Sequence, residues 1–129
     1  MAASEPNTVA VLGASADRSK YGNKAVRAYL RAGWRVFPVN PRGGQIERLP
    51  VFRSLREIPD PIQRVTTYLP PAVGIHVLGD IAAIKPAEFF VNPGAESDEL
   101  LAAAARLGLE PILACSIIEI GHTPDEYQA

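Results

Sequence analysis

One cysteine and two histidines are all the soft or imidazole chemistry that these 129 residues carry. Cys115 has no partner for an intramolecular disulfide, and no Cys or His stands near it at metal-ligand spacing. Zinc and calcium loop patterns are absent. No apolar run approaches the roughly 20 residues that span a bilayer, and MAASEPN lacks the basic and apolar regions of a secretory leader, so the expected compartment is the cytoplasm. Net charge is equally scarce: a formal -1 and a pI near 6.1 give no field for nucleic acid or an anionic membrane, and neither is expected as a partner. A hydrophobic share of 47% with 21% charged residues is ordinary for a folded chain of one domain, residues 1–129, with 1–7 and 122–129 expected as loose tails.

What is present is an alternation of apolar strands and amphipathic helices. Val9–Leu12 is a short apolar run of the kind buried on both faces of a sheet. Gly13 and a small polar loop follow, and Asn23–Ala32 then carries Val26, Tyr29 and Leu30 at helical spacing, with Gly33 placed to end the helix. Arg35–Val39 reads as a second strand, with Pro38 tolerated near an edge. Asn40–Pro61 is irregular except for a capping-box turn at Ser54–Glu57. Arg64–Leu69 is the third strand, and Pro71 opens a second helix expected to reach Lys85. Glu88–Val91 is the fourth strand. Ser97 caps a helix with Asp98 and Glu99 in its first turn and Gly108 at its end. Glu110–Leu113 is the fifth strand, which Cys115–Ile120 extends or follows with a last short one.

That alternation implies an α/β fold, a three-layer Rossmann-like domain with a mostly parallel sheet of five or six strands, for which the expected order is 3-2-1-4-5. Ligands of such sheets bind where the strand order reverses, at the carboxyl ends of the strands. The loops gathered there are Gly13–Gly22, Asn40–Gly44, Leu69–Pro71 and Asn92–Gly94. In the first, an apolar strand passes through glycine into a helix, which offers backbone N–H groups to phosphate. The dinucleotide fingerprint itself is missing, since Gly13-Ala14-Ser15-Ala16-Asp17-Arg18 keeps only its first glycine. An NAD site also wants an acid at the end of strand two, where Asn40-Pro41-Arg42 stands instead. Arginine there suits the ribose phosphate of NADP or the 3′-phosphate of coenzyme A; its bland alternative is a surface arginine.

The order of VLGAS…GN, VFPVNP, YLPP, FFVNPG and LEPILACSIIEI, over about Thr8–Ile120, resembles the small CoA-binding-domain proteins, whose Rossmann-like domain is shared with the succinyl-CoA synthetase alpha subunit. The resemblance implies coenzyme A along the carboxyl edge of the sheet. It would touch Gly13 and Ser15, with Ala14 between them, then Asn40, Pro41 and Arg42, then Leu69, Pro70 and Pro71. Arg42-Gly43-Gly44 is similar to the basic-plus-two-glycines stretch that meets coenzyme A in the synthetase. Arg18, Asn23 and Lys24 near the first loop and Asn92 and Gly94 after strand four complete the candidate set. Phe90-Val91-Asn92-Pro93-Gly94 departs from the Trp-x-Gln-x-Gly of many relatives. The aspartates common in the family before strand three and before the last cysteine are replaced, around Gln63 and at Ala114. No counterpart of the synthetase's second domain or phosphorylated histidine is present, so ligase activity is not expected.

No catalytic constellation stands out. His76 and His122 have no sequence-near carboxylate or cysteine arranged as a unit, and Gly13-Ala14-Ser15-Ala16-Asp17 fails the nucleophile-elbow pattern at its second glycine. Cys115 reads as a small buried hydrophobe rather than a reactive thiol. Glu96, Asp98 and Glu99 are explained by the helix start they flank. The leading expectation is a non-catalytic binding or sensor protein for coenzyme A or an acyl-CoA. An NADP-dependent oxidoreductase-like domain and a ligand-free interaction module on the same fold are the alternatives, and a homodimer is left open.

Overall fold

The computed structural model describes residues 7–129. Its parallel sheet contains β1 (Thr8–Leu12), β2 (Arg35–Val39), β5 (Arg64–Thr67), β6 (Glu88–Val91) and β7 (Ile112–Leu113), in the order β2-β1-β5-β6-β7. A small antiparallel hairpin, β3 (Gln45–Ile46) with β4 (Leu49–Pro50), stands apart from it. Strand side chains alternate between two cores. Ala10 and Leu12 pack with Phe37, Val65, Phe89 and Val91 beneath one helical layer. Val9 and Val11 pack with Val36, Val26, Tyr29 and Ile117 beneath the other. The first layer contains α2 (Pro71–Gly74), α3 (Leu78–Ile84) and α4 (Asp98–Arg106); the second contains α1 (Tyr21–Arg31) and α5 (Ser116–Glu119). Period-two burial on both faces is why β1 reads as a continuous apolar run.

The fold class is the expected one, but one strand sits elsewhere in the sheet. Arg64–Thr67 pairs with β1, Ala10 opposite Val65, rather than lying outside β2 as the order 3-2-1-4-5 requires. The outer edge of β2 is already used: Phe52 donates to the Pro38 carbonyl and accepts from the Asn40 N–H, both at 2.9 Å. Pro38 has no donor to offer that edge, which blunts it. Meanwhile all of β5 is buried, as a central strand must be.

Local signals hold where they are local. Gly33 ends α1 at φ 86° with its N–H on the Leu30 carbonyl, and the Ser97 hydroxyl accepts from Leu100 N–H at 3.0 Å. At Ser54 the expected box is not made: the Ser54 side chain caps nothing, and the Glu57 carboxylate accepts from the N–H of Arg53, one residue before the cap, at 3.0 Å. The expected second helix is broken by a 3-10 turn at Ile75–Val77. Leu30, expected on the buried face of α1, is 38% exposed.

Two further expectations are corrected near the carboxyl end. Cys115–Ile120 contains the helix α5 (Ser116–Glu119) and no strand, because the buried Asn92 side chain accepts from Ser116 N–H at 2.9 Å and turns the chain there. Residues 122–129 are docked rather than loose. Tyr127 is buried in the α1 core, and Arg27 donates to the Gln128 carbonyl at 2.8 Å. Of the expected amino-terminal tail, residues 1–6 lie outside the described residues, and Asn7 accepts from Arg35 N–H at 2.8 Å. None of the described helices is long and apolar enough to cross a membrane.

Candidate functional site

The sheet order reverses between β1 and β5, so the chain leaves β1 in one direction to reach β2 and in the other to reach β5. At that seam Gly13 turns the chain at φ +80°, and a Cβ there would lie 3.2 Å from the backbone of Tyr68 and Leu69. Only glycine fits both the left-handed conformation and the close approach of the two strand ends. Gly22, in the first turn of α1, is tighter still: its Cβ would meet the Gly13 carbonyl oxygen at 2.1 Å. The helix start therefore lies directly on the strand end, with the loop of residues 14–20 running between the two. No glycine shapes that loop between them. Ser15 Oγ accepts from Asp17 N–H at 3.0 Å, and the Asp17 carboxylate takes the Ser19 N–H and hydroxyl. Those bonds from Ser19 hold the Asp17 carboxyl below its ordinary pKa.

Above the seam opens a cleft of about 840 Å³. The structure brings Gly13, Ala14, Ser15, Asn40, Arg42, Leu69, Pro70, Pro71 and Gly94 together along it. These residues come from all four loops, because every carboxyl end of a parallel sheet faces the same way. Among the described residues, Lys20 and Arg42 are the charged side chains on its wall, and no carboxylate lines it. In a chain of net charge -1 this is a local cationic patch, the electrostatics an oxyanion requires. A narrower slot of about 100 Å³ opens beside it, bounded by Leu12, Val39, Pro41, Leu55, Leu69 and Val73, with Arg53 and Ser54 at one side. Gly13 and Leu69 border both spaces.

Five expected residues take other places. Asn23 is fully buried; it donates to the Ser15 carbonyl at 2.9 Å and to Glu47 at 3.1 Å, and accepts from Arg27 at 2.7 Å. Asn92 is equally enclosed, donating to Thr66 and the Thr67 carbonyl and accepting from Ser116. With their amides spent inside the fold, both are positioning residues. Arg18 is drawn aside by Glu47 at 2.8 Å, a residue held at φ 48° in the tip of the β3–β4 hairpin. Lys24 lies over the Tyr21 ring at 5.4 Å from its centroid and does not line the cleft. Pro41 borders the slot instead of the main cleft. Asn40, though on the wall, also joins two loops, donating to the Ala14 carbonyl at 2.8 Å and accepting from Arg42 N–H at 2.8 Å.

Ser19, Lys20, Tyr21 and Tyr68, none of them in the candidate set, also line the wall. Lys20 and Tyr21 sit at the start of α1 and were legible from that position; Tyr68 was not. Its side chain packs against the core under α1 and α5, and burial pushes its hydroxyl above the ordinary tyrosine pKa despite a bond to Ser116. Glu126 binds His122, which lies in the docked tail away from the cleft, and His76 is exposed on the turn after α2. Cys115 is half-buried before α5. Among the described residues no three His, Cys, Asp or Glu side chains gather to hold a metal.

Comparison with known proteins points the same way as this edge. A sequence model of the CoA binding domain matches residues 7–121. The alpha subunit of an ADP-forming acetate–CoA ligase I from Pyrococcus furiosus is 35% identical over 71 residues, half of this chain and 15% of that subunit. A conserved hypothetical protein of known structure from Pyrococcus furiosus is 33% identical, with a TM-score of 0.80 over 88% of this chain and 98% of the other. A Thermus thermophilus structure is 27% identical, with a TM-score of 0.80 over 88% and 87% of the two chains. A dinucleotide-forming acetyl-coenzyme A synthetase 1 from Candidatus Korarchaeum cryptofilum, in complex with phosphate and ADP, is 25% identical, with a TM-score of 0.68 over 83% of this chain and 25% of the synthetase.

Proposed function

This chain belongs to the CoA binding domain family, and from that premise we propose that it binds coenzyme A or an acyl-CoA as a non-catalytic binding or sensor protein. The observation that carries the reading is the carboxylate-free cleft at the β1–β5 seam, where the Gly13 loop meets Lys20 and Arg42. The diphosphate takes the backbone N–H groups of the first loop and the Lys20 charge. The adenine enters the apolar slot beside Pro41, which excludes water from its faces and has the volume of a small heterocycle. Arg42, on the cleft wall, pairs with the ribose 3′-phosphate. The pantetheine arm then runs across Leu69 and Pro70 toward Gly94.

The non-catalytic part of the reading is supported by what lines the cleft. Among the described residues its wall holds no histidine, cysteine or carboxylate, and the Ser15 hydroxyl accepts from Asp17 N–H rather than meeting a base. Acyl transfer needs an activated nucleophile or a positioned base, and neither is built here. The chain spans 15% of the ligase subunit it matches, so that protein's reaction remains its own.

Isothermal titration with coenzyme A, with NADP as control, tests the reading on protein freed of bound ligand by unfolding and refolding. Micromolar binding of coenzyme A, about -8 kcal/mol, without binding of NADP is expected. Preference for NADP would favour the oxidoreductase-like reading, and binding of neither would favour an interaction module; either outcome refutes the proposal.

A further inference from the structure

Two arginines, one on the cleft wall and one on the wall of the adjoining slot, have no carboxylate partner among the described residues, while Arg18, Arg35, Arg56 and Arg64 each have one. Arg42 is one of them. The other is Arg53, which follows Phe52, the residue that closes the edge of β2. The acids nearby are engaged elsewhere. Glu57 accepts from the Arg53 backbone N–H at 3.0 Å, and Asp80, on the slot wall, pairs with Arg56 at 2.6 Å. The loop after β2 is shaped around the Arg53 side chain: Gly43 stands at φ +66°, and a Cβ on it would lie 3.2 Å from Arg53 Nε. Arg42 lines the cleft and Arg53 the slot beside it, and the Arg53 guanidinium lies against Gly43, the residue that follows Arg42.

We infer that Arg53 is a second specificity-determining residue, which together with Arg42 holds the 3′-phosphate of coenzyme A. The inference rests on the coenzyme A reading above. A phosphate monoester carries close to two negative charges at neutral pH, and one guanidinium fork satisfies two of its three free oxygens. The second fork supplies the remaining contact and balances the charge. A hydroxyl in place of that phosphate gives neither arginine an anion, so the pair discriminates coenzyme A from dephospho-coenzyme A.

The test is titration of the whole chain with both ligands. Arg53→Gln is expected to weaken coenzyme A about tenfold or more, the scale of one charge-assisted hydrogen bond, and to change dephospho-coenzyme A by less than about threefold. Arg53→Lys, which keeps the charge and loses the fork, falls between wild type and Arg53→Gln. The side chain is exposed, so both variants are expected to fold, and thermal unfolding checks each. If Arg53→Gln or Arg53→Lys leaves the ratio of the two affinities at its wild-type value, the inference is overturned while the coenzyme A reading stands. Equal wild-type affinity for the two ligands also overturns it alone. Wild-type protein that binds neither overturns the underlying reading as well.

Discussion

Adding one methyl group at Gly22 tests the architecture of the site at its narrowest point. In an exposed helix Gly→Ala is stabilising, by up to about 1 kcal/mol. At Gly22 the new Cβ would lie 2.1 Å from the Gly13 carbonyl oxygen and 3.0 Å from its carbon, both backbone atoms that no rotamer change can clear. To regain ordinary contact the start of α1 must rise by about 1 Å. The helix is anchored by buried Asn23, Ala25, Val26, Ala28 and Tyr29, so that movement disturbs the whole interface. Overpacking of this kind costs about 1–3 kcal/mol, and the upper end applies because the clash is between backbones. Net of the propensity gain, Gly22→Ala should lose about 2 kcal/mol, which lowers Tm by about 6–8 °C in a chain of this size. Calorimetry measures it, with Gly79→Ala as the matched control. Gly79 lies in α3 with nothing within 4 Å of an added Cβ, and there Tm should hold or rise. A Gly22→Ala protein as stable as wild type would refute the contact on which the first loop is built.

Gly13→Val places a branched side chain at φ +80° against Tyr68 and Leu69; coenzyme A affinity should fall at least tenfold by titration, and unchanged affinity in a folded variant would remove the first loop from the site. Arg64 is 5% exposed, bonded to Glu88 and Glu119 at 2.6–3.0 Å and stacked between Trp34 and Phe90. Burial by itself lowers its pKa, but the bonds to Tyr29, Glu119 and Glu88 more than compensate and leave it raised. Arg64→Ala should cost about 3 kcal/mol in urea unfolding, the low end for a broken buried pair, because Glu88 and Glu119 keep 31% and 44% of their side-chain surface in water. A loss below about 1 kcal/mol would mean that this pairing adds little. Tyr29 and Tyr68 have pKa values raised by burial. Their stabilisation is complete below the unfolded tyrosine value of about 10 and is lost as pH rises from there through the folded values. Alkaline unfolding should therefore begin near that pH and be shallower in Tyr68→Phe, and identical slopes would count against it.

The expectations that held rest on short-range physics. Gly33 and Ser97 end and start helices through bonds to residues three or four positions away, and those partners come with the sequence. The gathering of Gly13, Arg42, Pro70 and Gly94 at one edge needed only the premise that the strands are parallel, since parallel strands present their carboxyl ends together. The failures are non-local. Asn23, Asn40 and Asn92 are the same residue type beside the same edge, yet Asn40 reaches the wall while the other two are consumed inside. Which fate each meets depends on Glu47 and Ser116, both 24 positions away in sequence.

The sequence by itself thus determined the alternation of strands and helices, the two-sided burial of β1, the turn at Gly13 and the edge on which a ligand would lie. Each follows from side-chain periodicity or a backbone preference confined to a few residues. Tertiary structure alone decided that β5 lies beside β1, that the carboxyl-terminal residues dock on α1, and that Gly22 rests on the Gly13 carbonyl. It also drew Arg18 away to Glu47 and left Arg42 and Arg53 without acids. The reason is that pairing and charge depend on which groups meet in space, and a free arginine and a neutralised one are the same letter until the fold brings a carboxylate to one of them.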